Sequence, residues 1–460
     1  MKTLNDPDLV LTPGLAAIRA QFAVPVGFPP EVLAAADVAA KRAPTAHVDR
    51  TAMPFVTLDP ASSTDLDQAF AIERSGADLL LHYAIADVAW FVDDGGAIDV
   101  EAWKRGTTLY LPDGKAGLYP PVLAEGAASL LPDGPRPAVV FAVRVAPDGA
   151  VALDGVERAV IRSRAKLAYD SVRDSDLPAD FADLSTRITD AEARRGASRV
   201  DPPQQEVEGT GDGRFRLAFA PRLESEDRNA ALSLATNLAV AAALQAHHTG
   251  LFRVMAGPDE RAVQRLRQIA AGLGLDWPAA TSLAAFEPTL NGADPAQAAF
   301  MIALRRAGSG ASYVPYREGV VPWHAAMAAT YAHATAPLRR LADRYVVQAA
   351  LAIANGKAVP DVVAQAFETL PPVMARADAI GGRIDRAAVD LAEAVMLHGR
   401  EGEVFAATIV DADDRGAHIQ LRDLAVVASV KTSGRPGDAV SVRLVAADVE
   451  ARTLSFVIAD

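Results

Sequence analysis

Phe55-Val-Thr-Leu-Asp59-Pro-Ala-Ser-Ser-Thr-Asp65-Leu-Asp67-Gln68-Ala-Phe70 reads as strand, turn, strand. Phe55 to Leu58 is a short apolar run with β-branched residues, Pro60 to Thr64 carries turn chemistry, and apolar residues resume at Ala69. If Asp65 to Asp67 is extended, both carboxylates leave one face of the strand, because strand side chains alternate. Asp59 can then fold back toward them. Three carboxylates this close repel one another at pH 7 unless a cation sits among them. A hard divalent ion, Mg2+ with Mn2+ as a substitute, meets that need through carboxylate oxygens. The competing reading is a polar turn with solvated acids.

Working outward, the chain of 460 residues is half hydrophobic and can bury large cores. It has no cysteine, which excludes disulfides, thiolate metal sites and a cysteine nucleophile, and fits a reducing cytoplasm. The opening Met1-Lys-Thr-Leu-Asn-Asp-Pro-Asp has no unbroken apolar core and does not read as a signal peptide. Ala230 to Leu244, the most apolar long segment, is interrupted by Ser233, Thr236 and Asn237 and reads as too short to span a bilayer, so no membrane is expected. The formal net charge of -13 argues against a nucleic-acid partner over the whole chain, but a site needs only a local basic groove and an ion.

The pattern divides the chain at about residues 50 and 400. Residues 1–50 read as a small helical region, a compact cap or part of a helix-turn-helix, with helices opening at Thr12-Pro13 and Pro29-Pro30. Residues 51–400 begin strand-rich, with strands over Leu79 to Val92, Pro137 to Val145 and Val151 to Val160 and one helix over about Ile98 to Arg105. A polar loop follows, Asp201 to Gly213. Helices are predicted over Asn229 to His248, Arg261 to Leu273, Asp294 to Arg306, Pro337 to Asn355, Val362 to Leu370 and Ala375 to Glu401. Residues 401–460 read as five short strands, the pattern of an oligonucleotide-binding barrel. Phe405 and Phe456 are its only aromatics and its acids outnumber its bases, so a β cap without a ligand competes with that reading.

A second informative stretch is Tyr331-Ala-His-Ala-Thr335-Ala-Pro337-Leu-Arg339-Arg340-Leu-Ala-Asp343-Arg344-Tyr-Val. Thr335 or Ala336 is expected to cap a helix with Pro337 in its first turn. Leu338, Leu341, Ala342, Tyr345 and Val346 would then form its buried stripe, with Arg339, Arg340 and Arg344 turned away from it. Guanidinium groups at a helix start would grip a phosphate. The alternative is an exposed basic helix end.

Together the chain resembles the ribonuclease II (RNB) family of 3'-to-5' exoribonucleases, in a short form lacking the N-terminal cold-shock barrels. The matching text runs from Thr57 to Asp67, His82 to Val88, Asp99 to Ala102, Arg105 to Pro112, Tyr119 to Pro121, Ser129-Leu130, Ser163 to Tyr169 and His324 to Asp343. The resemblance implies an α+β fold: a mixed sheet surrounded by helices, followed by an S1-like OB barrel. It implies Mg2+-dependent hydrolysis of single-stranded RNA to nucleoside 5'-monophosphates by a monomer. Carried over by motif, Asp59, Asp65 and Asp67 are the metal and catalytic carboxylates, Arg339 the phosphate clamp and Arg340 its neighbour. Tyr110 matches an aromatic that packs on RNA bases, and Tyr169 a tyrosine near the 3' end. Phe215, chosen over Phe219, is the second stacking aromatic. The family usually has a fourth aspartate where Gln68 stands; a carboxamide can coordinate Mg2+ but brings no charge. Its Thr-Ser-Pro appears as Thr335-Ala336-Pro337, and an acidic pair aligns with Ala230 and Ala231. His82, His324 and Asp87 read as structural. Two rivals stay open: an RNA-binding adaptor that has lost turnover, and a glycosyltransferase using Asp65-Leu-Asp67 as its metal pair.

Overall fold

The computed structural model describes residues 11–197, 204–209, 215–220, 223–291, 294–308, 310–413 and 416–459. The architecture is α+β. A five-stranded sheet runs in the order Val48–Asp49, Val151–Ile161, Arg136–Val145, Asp78–Ala86, Gln68–Ser75; the first pair is parallel and the rest antiparallel. Arg136–Val145 is buried along nearly its whole length because both faces are covered, which explains its near-continuous apolar run.

The helix Glu224–Ala246 packs across this sheet. Apolar residues surround it, with Leu232, Ala235, Val240 and Leu244 fully buried, so it is a core helix rather than an amphipathic one. By length and composition it could cross a membrane, contrary to the expectation from Ala230 to Leu244 alone, but most of it lies buried inside the fold.

Several expectations shift. Val88–Phe91 is a short helix rather than the end of a strand, capped by Asp87, whose carboxylate accepts from Trp90 N and binds His47 and Arg158. The region read as mixed contains the helix Phe181–Arg195. Within the expected loop, Gln204–Gly209 is a strand paired antiparallel with Phe215–Ala220; residues 201–203 and 210–213 lie outside the described residues. The helix Asp361–Leu397 runs through Pro371 and Pro372 where a break was predicted. Leu370 and Met374 on either side of the prolines are both anchored in the main core, and burial outweighs the lost N–H donors.

The two N-terminal helices, Thr12–Gln21 and Pro30–Ala39, form as predicted but join different cores. The first packs on Ile384 and Leu391 of the long helix, the second on the sheet core. At the C-terminus, Val404–Asp413, Gly416–Leu421, Val427–Val430, Thr453–Ile458 and Ala439–Asp448 close a barrel in that order. Ala417, Ile419 and Leu421 point inward in alternation, and Leu397 joins the same apolar cluster.

Candidate active site

Thr57–Asp59 pairs in parallel with Lys166–Ala168, which sets Asp59 beside the start of Tyr169, and Tyr169 N donates to Asp59 O at 3.2 Å. Oδ2 of Asp59 is buried without a hydrogen-bond partner. Burial pushes its carboxyl up to about 7; the Arg339 guanidinium partly offsets this and Asp65 adds to it.

Residues 60–67 are not paired as a strand, and the next strand starts at Gln68. Side chains hold the loop instead: Leu66 is fully buried, its N–H donates to Ser129 Oγ at 2.9 Å, and its carbonyl accepts from Leu130 N at 3.0 Å. Burying one leucine contributes about 2 kcal/mol, enough to fix the carboxylates on either side of it. They diverge. Asp67 turns inward, 5% exposed, with Oδ1 accepting from Leu338 N at 2.7 Å and Oδ2 3.5 Å from Arg339 Nε. Burial pushes Asp67 up to about 8, against the pull of Arg339. Asp65 meets Lys115 Nζ at 2.8 Å and the Tyr110 hydroxyl at 3.4 Å. Lys115 also binds Glu125 at 3.0 Å. The two side chains expected to share a strand face thus have separate partners.

Gln68 was expected as a fourth metal ligand. Its carboxamide oxygen accepts from the hydroxyl of fully buried Tyr83, so that oxygen is already engaged inside the protein.

The arginine segment forms a turn before the helix rather than the helix's first turn. Arg339 N and Arg340 N donate to Ala336 O, and the helix begins at Leu341 with Arg340 as its N-cap. Buried Asp343 organises the turn, accepting from Ala336 N at 2.8 Å and gripping Arg340 at 2.9 and 2.6 Å. Thr107 Oγ1 and Thr108 N both donate to Arg339 O, and Leu341 N donates to Gly106 O. Gly106 has φ +72°, and a Cβ there would lie 2.9 Å from Ala377 Cβ, so both conformation and space require glycine. Only Arg339 of the three arginines is left reaching outward, with its side chain 45% exposed. Arg344 is a correction to the RNA-binding expectation: it is 1% exposed, ion-paired with Asp99 and stacked 4.5 Å over the Tyr345 ring. The later helix start puts it among Leu341, Tyr345 and Val347, on a helix buried on most sides.

Tyr110 is 36% exposed and opens toward the acids. Tyr169 accepts at its hydroxyl from Asn229 Nδ2, 2.9 Å away. Phe215 begins the strand Phe215–Ala220, and its side chain lies outside the described residues. His324 is buried, with its imidazole pushed down to about 4 by burial and by Arg253. Two residues escaped the sequence reading. Lys115 sits directly opposite Tyr110 in the hairpin Leu109–Leu111 with Gly114–Ala116, and the Pro112-Asp113-Gly114 turn was the available signal. Asn229 lies early in its helix, between a charged run and an apolar one, and the sequence marked it only as the start of a predicted helix.

Among the described residues, no three acidic or histidine side chains already stand grouped to hold a metal. The donor chemistry nevertheless suits a hard divalent ion. Asp59 keeps an unpartnered buried oxygen, and burial raises the pKa of both Asp59 and Asp67, an effect that a cation beside them would oppose.

Comparison with known proteins places this geometry in a family. The RNB domain matches residues 47–354, and the RNase II-type exonuclease C-terminal S1 domain matches residues 403–459. Ribonuclease R of Aquifex aeolicus is 25% identical across 95% of this chain and 69% of its own length. Exoribonuclease 2 of Yersinia enterocolitica and ribonuclease R of Mycoplasma pneumoniae and of Escherichia coli align over 23%, 44% and 40% of their own lengths. Mycoplasma genitalium RNase R, solved in complex with ribose methylated single-stranded RNA, superposes with a TM-score of 0.86 at 20% identity, over 99% of this chain and 78% of that one. Yeast Ssd1, described as a pseudonuclease, superposes at 0.67 and 15% identity over 95% of this chain and 57% of its own. With more than half its length matched by the RNB domain and an S1 barrel behind it, the chain belongs to the RNB family of RNase R/RNase II-like proteins.

Proposed function

We propose that the chain is a Mg2+-dependent 3'-to-5' exoribonuclease that hydrolyses single-stranded RNA to nucleoside 5'-monophosphates. The observation that carries this is the convergence of Asp67 and the Arg339 turn, whose Leu338 lies 271 positions away in sequence yet bonds the Asp67 carboxylate. Asp59 and Asp67 would hold the ion, with Asp65 beside it. When bound, a hard divalent cation supplies charge to the scissile phosphate and lowers the pKa of an attacking water. Arg339, with its backbone fixed by Thr107 and Thr108, binds a phosphate oxygen and offsets charge as it develops. Tyr110 offers a ring face to a base, and Tyr169, just after the strand paired with the acid strand, sits beside Asp59, where the 3' nucleotide would stop. Arg340 acts through Asp343, as part of the turn that aims Arg339. Residues 51–400 act as the catalytic domain and 401–460 as an RNA-binding barrel. The chain works as a monomer in the cytoplasm without membrane contact; the absence of cysteine fits such a reducing compartment.

The test is a time course on 5'-blocked and 3'-blocked oligoribonucleotides with Mg2+ and with chelator. Mononucleotides released only from free 3' ends, and only with metal, are the expected result. One observation favours a second reading, the adaptor without turnover: the Gln68 position supplies no charge, and its carboxamide oxygen already accepts from Tyr83. RNA bound but left intact under every metal condition would establish that reading in place of the first.

A further inference from the structure

Asn229 makes two contacts that the chemistry above does not use. It is 4% exposed in the helix Glu224–Ala246, with Nδ2 lying 3.1 Å from the Leu58 carbonyl oxygen and 2.9 Å from the Tyr169 hydroxyl. Thr57 N and Asp59 O both bond toward the neighbouring strand, so the Leu58 carbonyl faces the opposite way, toward the helix. A carbonyl can only accept. The atom facing it must therefore be the amide nitrogen, and the orientation of Asn229 is fixed by chemistry. Its second N–H goes to the phenol oxygen of Tyr169. That oxygen is thereby an acceptor on the helix side, and its own proton has to point elsewhere.

Ser225, one helical turn earlier, donates its hydroxyl to the Tyr169 main-chain carbonyl at 2.7 Å. The tyrosine is thus held at both ends by one helix face. The charges of Asp59 and Arg339 act on the phenol, and burial keeps it protonated by pushing its pKa upward.

We propose that Asn229 is a positioning residue that sets the Tyr169 hydroxyl as a hydrogen-bond donor to an oxygen of the bound RNA 3' nucleotide, while tying the end of the Asp59 strand to the same helix. This deepens the functional reading above and rests on it. The test is a double-mutant cycle of Asn229→Ala, Tyr169→Phe and both together, each variant checked by thermal melting. Two readouts are taken: kcat and KM on a 5'-labelled oligoadenylate with Mg2+, and equilibrium binding of the same oligomer in chelator. Each single variant should lower kcat about tenfold with little change in KM, and the double variant should fall no further than the worse single one. The lost Leu58 contact is common to both backgrounds and cancels. If the double variant instead loses the product of the two factors, Asn229 does not act through Tyr169 and the proposal is overturned. If Asn229→Ala does not fold, Asn229→Gln, which keeps an amide for Leu58, closes the same cycle. A parent protein that releases no nucleotide ends the functional reading but not this one: coupling in the binding cycle supports it, and additivity there overturns it.

Discussion

The acid loop and the arginine turn face each other but are built on opposite electrostatic plans. In the loop, two of three carboxylates are buried with too little compensation, Asp59 with an orphan oxygen and Asp67 against a single backbone N–H and a distant guanidinium. In the turn, two of three arginines are ion-paired, Arg340 to Asp343 and Arg344 to Asp99, the latter through Nη2 alone. The difference separates recruitment from scaffolding. Uncompensated buried acids store a demand for a cation, whereas paired buried arginines hold the backbone so that the one remaining guanidinium is aimed.

Asp67→Asn should break this contrast most severely. The amide retains an acceptor for Leu338 N, so the fold should persist and melt no earlier, while kcat falls about a thousandfold, roughly 4 kcal/mol in the barrier. RNA binding in chelator should be nearly unchanged. An active Asp67→Asn protein would remove Asp67 from the catalytic set.

The two outer arginines sharpen it further, because they should fail in different currencies. Arg344→Ala leaves Asp99 buried and unpaired and should lower stability by about 3 kcal/mol, seen in denaturant titration. Arg339→Ala should leave the melting temperature in place and lower kcat about a hundredfold, roughly 2.7 kcal/mol. A stability loss at Arg339 with an unaffected Arg344 variant would reverse the assignment of scaffold and clamp.

This contrast also marks what the amino-acid sequence could show. The meeting of the acid loop with the Arg339 turn was legible because both segments belong to one register of motifs. The barrel was legible too, since alternation at Ala417, Ile419 and Leu421 is a period-two signal. The fate of Arg344 was not: it depended on the helix starting at Leu341, and that start is dictated by Asp343 and by Gly106, more than 200 positions earlier. The continuity of Asp361–Leu397 across two prolines was likewise hidden, because a core held on both sides overrides the local breaking signal. Asn229 stayed invisible since its partners, Leu58 and Tyr169, come from two other segments.

A pH titration tests the acid side directly. Burial pushes Asp59 up to about 7 and Asp67 up to about 8 in the folded chain, against 3.8 for an ordinary aspartate. The unfolded chain releases these protons first, so between about pH 4 and pH 8 it binds fewer protons than the folded chain. Stability of the metal-free protein should therefore fall as pH rises through that window. Denaturant titrations in chelator should show the slope in the parent and a flatter one in Asp59→Asn/Asp67→Asn, and Mg2+ should restore stability at the alkaline end. Parallel slopes would mean that the two carboxylates are ordinary.

The smallest effect should come from Lys115, the cation that pairs with Asp65 on the acid side of the site. It neutralises Asp65 from a partly exposed position, its side chain 23% exposed, and shares itself with Glu125. An ammonium of this kind is worth about 1 kcal/mol or less. Lys115→Met should release Asp65 toward a bound ion and tighten Mn2+ binding, measured calorimetrically, by a few-fold. The backbone should stay as it is, because Leu66 and Ser129 fix the loop independently of Lys115. Weaker Mn2+ binding in this variant would show instead that Lys115 orients Asp65 for the metal, and the acid side would then owe part of its shape to a paired cation, as the arginine side does.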